Sequence, residues 1–292
     1  MKNDPLKSLQ EVDDEVARLV SSGIHIPPQP RIVLDVTNLL QSRQCDLREA
    51  AQLISHDAGL TAMLYKVTRS AAFARSRPPQ SVEQILALVG SRQTALLVQA
   101  YGVTAALKNT EKRSLEQFWN RTTNIAQLAS LICYERSQSG AVMHVTAEQA
   151  YMAGIFHDCG VPVLMQRFPD YCKAVGASGA DSWIDVHKED QVFKVDHCSI
   201  GYLLARHWRL PDLVADAILW HHDLAQIESL PVRSLVAVLA LAMHLRAGEQ
   251  GLRDPDWGRM GHMVLDELGI HPDDMNEVSD YIMDMFRNES GQ

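Results

Sequence analysis

Apolar residues recur every three or four positions along almost the whole chain, and no useful run alternates apolar with polar. That spacing lines one face of an α-helix, whereas a half-buried strand needs a period of two. Leu6, Leu9, Val12, Val16, Leu19 and Val20 make the first stripe, and Gly23 stops it. Ile26-Pro-Pro-Gln-Pro30 is a rigid extended break. Ile32, Val33, Val36, Leu39 and Leu40 make the next stripe. Asp46-Leu-Arg-Glu49, Ser81-Val-Glu-Gln84 and Thr146-Ala-Glu-Gln149 each carry the spacing of a helix-opening capping box. Long helices are expected over 91–107 and 117–137, and a buried one over the apolar stretch 231–247. Residues 174–195 are mixed and polar, which predicts a loop with a short helix. Asp196 opens a helix through Trp208, Pro211 starts another over 212–222, and Pro272 starts a final amphipathic one. The expectation is an all-α chain with a soft boundary near residue 110.

Composition narrows the function. Hydrophobic residues make up 46% of the chain, ample for a core. The net charge is −9, from 36 acidic against 27 basic residues, and no Lys/Arg run makes a phosphate-binding stripe. Nucleic acid is therefore not an expected partner. Five widely spaced cysteines without a C-x-x-C give neither a disulfide framework nor a zinc knuckle, and suit a reducing cytoplasm. No N-terminal signal-peptide pattern and no uninterrupted run of 18 apolar residues is present, so a cytoplasmic location without a membrane partner is expected.

The chemistry concentrates in histidines. His157-Asp158 follows the apolar segment Tyr151-Met-Ala-Gly-Ile-Phe, and a His-Asp doublet there can place an imidazole and a carboxylate on one divalent metal. The plainer reading is a buried, hydrogen-bonded His-Asp pair. His197 follows Asp196, whose ordinary role at a helix start is an N-cap. His221 and His222 close a helix, where the dipole favours them without any ligand. Neighbours on a helix diverge by roughly 100°, so the pair can share one ion only in a special geometry. His56-Asp57 reads as a helix boundary, and His144, His187, His207, His244, His262 and His271 as surface or packing residues.

The order of motifs resembles that of the HDOD family, bacterial signalling relatives of the HD and HD-GYP phosphohydrolases. The resemblance runs from about Ile26 to Ala247. Its carriers are Ile26-Pro-Pro-Gln-Pro30, the stretch Leu53-Ile-Ser-His-Asp-Ala-Gly-Leu-Thr-Ala62, Ser81 to Gly90, and Phe118-Trp119. They continue with Ala153-Gly-Ile-Phe-His-Asp-Cys-Gly160, Val195-Asp-His-Cys-Ser-Ile-Gly201, Trp208-Arg-Leu-Pro211 and Ile218-Leu-Trp-His-His-Asp223. It implies two helical lobes, the C-terminal one HD-domain-like. The corresponding division is an N-terminal helix over 1–23, a first lobe over 24–110, an HD-like lobe over 111–247 and a helical extension over 248–292. The extension is open as either a dimerisation element or a cap on the core.

The same resemblance shows departures. Active HD hydrolases take a further His from the helix before the doublet, and that place falls near Arg121. They take a further Asp from the late helix, and residues 236–243 hold no carboxylate. The lysine that follows the doublet in HD-GYP enzymes is Val161 here. An arginine near the site repels a cation, and Arg121 is expected to pair with Asp158 instead. These losses imply a module that is not an enzyme, receiving or passing on signals through contacts with proteins in trans, a homodimer among them. No cofactor is expected. A second reading is a metal-dependent phosphohydrolase, with His157 and Asp158 as catalytic candidates and with His157, Asp158 and His221 as ligands to iron, manganese, zinc, nickel or magnesium. A third is a regulator that binds a nucleotide phosphate or other anion through Arg121, His197 and His222.

Overall fold

The computed structural model describes residues 26–42, 45–70, 73, 79–106, 112–175 and 184–290. The expected N-terminal helix and the boundary near residue 110 lie outside the described residues. Among those described, the chain is all helix with no strand, and its helices form two lobes.

The first lobe comprises α1 (Arg31–Gln41), α2 (Leu47–Ser55), α3 (Ala58–Val67), α4 (Val82–Val89) and α5 (Ser91–Ala106). Short-range polar groups set their starts. Asp46 accepts from the N–H of Arg48 and Glu49, Asp57 from Leu60, and Ser81 from Gln84, each satisfying amides that a helix N-terminus leaves orphaned. Gly90 ends α4 at φ +85, a conformation that favours glycine. Leu60, Leu64, Ile85, Leu86 and Leu97 are fully buried between these helices.

Of the three expected capping boxes, one closes reciprocally. Thr146 accepts from Gln149 N while the Gln149 side chain accepts from Thr146 N. Gln84 instead turns to the N–H of Gln80, and at Asp46 only the capping half forms. Thr146→Ala is expected to lower stability by about 1 kcal/mol, read as a fall in the urea midpoint at unchanged slope.

The second lobe opens with the long α6 (Lys112–Gln138), against which α7 (Ala147–Phe156) packs. The approach is close: a Cβ on Gly154 would sit 2.4 Å from the Cα of Ala126. Then follow α8 (Val161–Arg167), α9 (Tyr171–Val175), α10 (Val186–Phe193), α11 (His197–His207), α12 (Asp212–Trp220), α13 (Leu230–Glu249), α14 (Trp257–Glu267), a 3-10 turn (Pro272–Asp274) and α15 (Met275–Ser290). The stretch read as a polar loop thus holds α10 within it, while residues 176–183 are outside the description. The α13 helix is apolar all round because α6, α7, α12 and α14 enclose it. It is long and apolar enough to cross a membrane, yet 72% of that stretch is buried inside the protein.

The extension joins the core of this lobe. Met260, Val264, Leu268, Ile282 and Phe286 are buried with the apolar residues of α13. Arg136 on α6 donates to the carbonyls of Leu268 (3.0 Å) and Gly269 (3.1 Å), tying the end of α14 to the lobe.

Candidate metal and anion centre

Five of the six candidates are delivered by helix ends, and Arg121 by the body of α6. His157 caps the C-terminus of α7, and Asp158 stands in the tight turn before α8. His197 is the first residue of α11. Asp196 beside it behaves as an N-cap, accepting from Ser199 N at 2.7 Å and Ser199 Oγ at 3.1 Å. His221 caps α12, and the chain leaves the helix at His222. That departure removes the divergence regular helix would impose: the two imidazoles tilt together, ring centroids 4.2 Å apart. The turn also needs Gly160, because a Cβ there would lie 2.0 Å from His197 O.

The structure brings all six sequence candidates together. Asp158 Oδ1 lies 3.3 Å from His197 Nε2 and 3.4 Å from His221 Nε2. Those two nitrogens are 3.3 Å apart, so the three atoms form a nearly equilateral triangle. His222 Nε2 stands 3.2 Å from His197 Nε2, and His157 Nε2 3.3 Å from Asp158 Oδ2. Arg121, on α6 and 15% exposed, donates from Nη2 to Asp158 Oδ2.

The opposite ring nitrogens explain the orientation. His157 Nδ1 faces Gly154 O and His221 Nδ1 faces Ile218 O, both at 2.7 Å. His197 Nδ1 lies 2.6 Å from Glu189 Oε2, and His222 Nδ1 2.7 Å from Asp256 Oδ2. These oxygens only accept, so each Nδ1 carries the hydrogen, and in the neutral ring Nε2 presents its lone pair inward. Metal-binding histidines are held in this way. Lone pairs and a carboxylate cannot face one another bare. A proton or a cation must stand between them, and a tetrahedral ion with ligands at about 2.0–2.1 Å keeps its ligand atoms about 3.3 Å apart. The donor set and spacing therefore fit a divalent ion. Buried Cys198 adds a sulfur 3.6 Å from His197 Nε2 and completes a potential ligand group with His197, His221 and His222.

Charge is distributed unevenly. Burial raises the Asp158 carboxyl, but His157, Arg121 and the histidine hydrogen bonds outweigh it and hold it well below the carboxylate range. Burial, then the charges of His222 and His197, lowers His221 to about 3. Burial also opposes a proton on His197, yet the Glu189 and Asp158 carboxylates on either side of it hold it well above its ordinary value. Burial pushes the Cys198 thiol up to about 12. A protonated His197 between Glu189 and Asp158 is one answer to the crowding of lone pairs, and a metal is the other.

Besides Cys198, four contributors escaped the sequence reading. Glu189 is fully buried; its Oε2 accepts from the His197 backbone N–H at 3.0 Å as well as from Nδ1, and Tyr171 Oη donates to its other oxygen. Asp256 and Arg259 reach in from the extension. Nothing in the sequence around them marks them as buried. A cleft opens beside the cluster, with Arg121, His157, Asp158, His222, Met243 and Arg246 among its walls. His244 packs on Trp257, and His56 closes α2 as its C-cap.

The HDOD family model matches residues 26–224. An uncharacterised protein of Treponema pallidum (strain Nichols) is 26% identical over 227 residues, 77% of this chain, and the chain spans only 43% of that relative's length. Among solved structures, an HDOD domain protein of unknown function from Geobacter sulfurreducens superposes with a TM-score of 0.65 at 22% identity, covering 96% of this chain and 97% of its own. A candidate metal-dependent phosphohydrolase from Shewanella amazonensis SB2B gives 0.69 at 17% identity, covering 97% of each chain. A candidate signal transduction protein from Marinobacter aquaeolei VT8 gives 0.70 at 19% identity, covering 98% of this chain and 66% of its own. At these identities the structural likeness shows the fold.

Proposed function

Because the chain belongs to the HDOD family, we propose that it is a non-catalytic regulatory module of signal transduction, acting through contacts with partner proteins in trans, a second copy of itself among them. One observation carries this reading: Arg121, which stands where the resemblance to HD hydrolases implies a further ligand, gives its guanidinium to Asp158 Oδ2. A fixed positive charge on Asp158 withholds one carboxylate oxygen from any ion in the cluster and weakens its hold on a cation. The test is hydrolysis of bis(4-nitrophenyl) phosphate and of nucleotides by protein purified without a metal-affinity tag, alone and with iron, manganese, zinc, nickel or magnesium. No turnover above buffer is expected under any condition. Metal-dependent turnover that disappears in Asp158→Asn would overturn the reading.

A second reading is favoured by the triangle of His197 Nε2, His221 Nε2 and Asp158 Oδ1. In it the chain is a metal-dependent phosphohydrolase with an atypical shell of His157, Asp158, His197, His221 and His222. A bound divalent ion would supply Lewis acidity and an activated water. The chain's own part would be to hold the ligands through their Nδ1 hydrogen bonds, and to receive a phosphate anion on the guanidinium groups of Arg121 and Arg246 that border the cleft. Elemental analysis of the untagged protein separates holding a metal from using one.

A further inference from the structure

The family match ends at residue 224, yet two residues beyond it reach the histidine cluster. Asp256 Oδ2 lies 2.7 Å from His222 Nδ1. Arg259 Nη2 donates to His222 O at 2.5 Å and to Asp256 Oδ1 at 3.0 Å, and its Nη1 lies 3.7 Å from Asp223 Oδ1. Both the ring and the backbone of His222 are therefore gripped by the start of α14.

The local chain shows that this grip is built. Asp256 stands at the N-cap of α14, where an aspartate ordinarily accepts from the first amides of its own helix, but its side chain makes no such bond. Asp254 supplies that service, accepting from the N–H of Asp256 at 2.9 Å and of Trp257 at 3.1 Å. The other oxygen of Asp254 lies 3.1 Å from His244 Nδ1 on α13, and His244 stacks on Trp257 with ring centroids 3.7 Å apart and planes 10° from parallel. With the turn fixed to α13, the Asp256 carboxylate is free to face His222. The result is to aim His222 Nε2 at His197 Nε2, 3.2 Å away. At that distance the two nitrogens must share either the proton of His197 or a cation, and His222 aimed in this way is placed to serve as a ligand to the second.

We propose that Asp256 and Arg259 are positioning residues of a divalent-metal site in the cluster, and that the ion and the segment 254–267 therefore stabilise one another. A carboxylate on the outer nitrogen fixes the tautomer and makes the inner nitrogen a better donor. Coupling between ion and segment is necessarily reciprocal: what the segment adds to ion affinity, the ion adds to the docking of the segment. The inference rests on the cluster's capacity to hold a metal, and requires no hydrolysis.

The experiment is a Co(II) titration of the full chain, followed by visible absorption, with amide hydrogen exchange across 254–267 before and after loading. Wild type is expected to bind Co(II) with a low-symmetry visible spectrum and slower exchange in this segment. Asp256→Ala is expected to bind about 10- to 100-fold more weakly, with an altered spectrum and no slowing. Asp256→Asn retains an acceptor for Nδ1 and is expected to fall between the two. If wild type takes up no Co(II), the metal reading itself fails and the inference falls with it. If wild type binds and Asp256→Ala binds equally, with the same spectrum, the inference alone is overturned. Should Asp256→Ala not fold, Arg259→Gln replaces a side chain that is 25% exposed. A several-fold loss of affinity supports the proposal, and unchanged affinity refutes it.

Discussion

Gly160→Ala is expected to cost at least ~3 kcal/mol of folding stability, a large share of what a domain of this kind holds in reserve. The added Cβ would stand 2.0 Å from His197 O, 2.7 Å from Gly201 N and 2.9 Å from His197 C. All three are backbone atoms, so no side chain can swing aside. His197 cannot retreat cheaply either, because Glu189 holds both its N–H and its ring. The φ of Gly160 is −74, so the requirement is for space and not for an unusual backbone. Gly258 is the matched control. It lies within α14, and a Cβ there meets nothing within 4 Å. Gly258→Ala is expected to leave stability unchanged or raise it by about 0.5–1 kcal/mol through helix propensity. Urea unfolding of both variants gives the comparison. A Gly160→Ala midpoint equal to wild type would mean that α8 and α11 do not approach as described.

The second large effect is expected at Glu189. Removing its carboxylate by Glu189→Ala strands three buried donors at once: the backbone N–H of His197, its Nδ1, and the hydroxyl of Tyr171. Each unsatisfied group carries its own desolvation cost, and breaking a buried charged pair typically costs about 3–5 kcal/mol. The loss should exceed that of Tyr171→Phe, which removes one donor and leaves the carboxylate its two bonds to His197. Denaturant titration of the two variants gives the order. A Glu189→Ala loss below that of Tyr171→Phe would show that the carboxylate does not anchor His197. Any metal affinity should fall as well, because the free imidazole no longer has a fixed tautomer.

The contrast between Asp46 and Glu189 shows what a sequence can disclose. Asp46, Ser81, Thr146 and Asp196 are legible as caps, and His56-Asp57 as a helix boundary, because a cap acts on amides two or three residues away. The same locality made the apolar run of α13 and the His157-Asp158 doublet readable, and the ordered motifs gave the family. Glu189 sits in a helix whose neighbours are Lys188 and Asp190, the pattern of a solvated surface. Its burial is decided by Tyr171 and His197, on other helices. Asp256 stands among the turn residues Gly251, Pro255 and Gly258, and nothing local marks it as a site residue because its partner, His222, is 34 residues upstream. The pairing of Arg121 with Asp158 came from aligning the chain with the family pattern; helical spacing alone could not have placed α6 against the α7–α8 turn. The convergence of His221 and His222 depends on where α12 stops, which the residue pattern around Trp220 does not fix.

The enclosure of α13 also sets a problem of timing. A nascent chain emerges from its N-terminus, so α6, α7 and α12 are available to cover most of this helix as it appears, but α14 is not. Until α14 has emerged and docked, the side of α13 that it will cover is open to water and to other chains. Transiently exposed surface of this kind is where partly made proteins stick to one another. A chain shortened after α13, at the edge of its family resemblance, would keep that face exposed for its whole life. Dependence on a holding chaperone should therefore be greatest in the interval between the appearance of α13 and the arrival of α14.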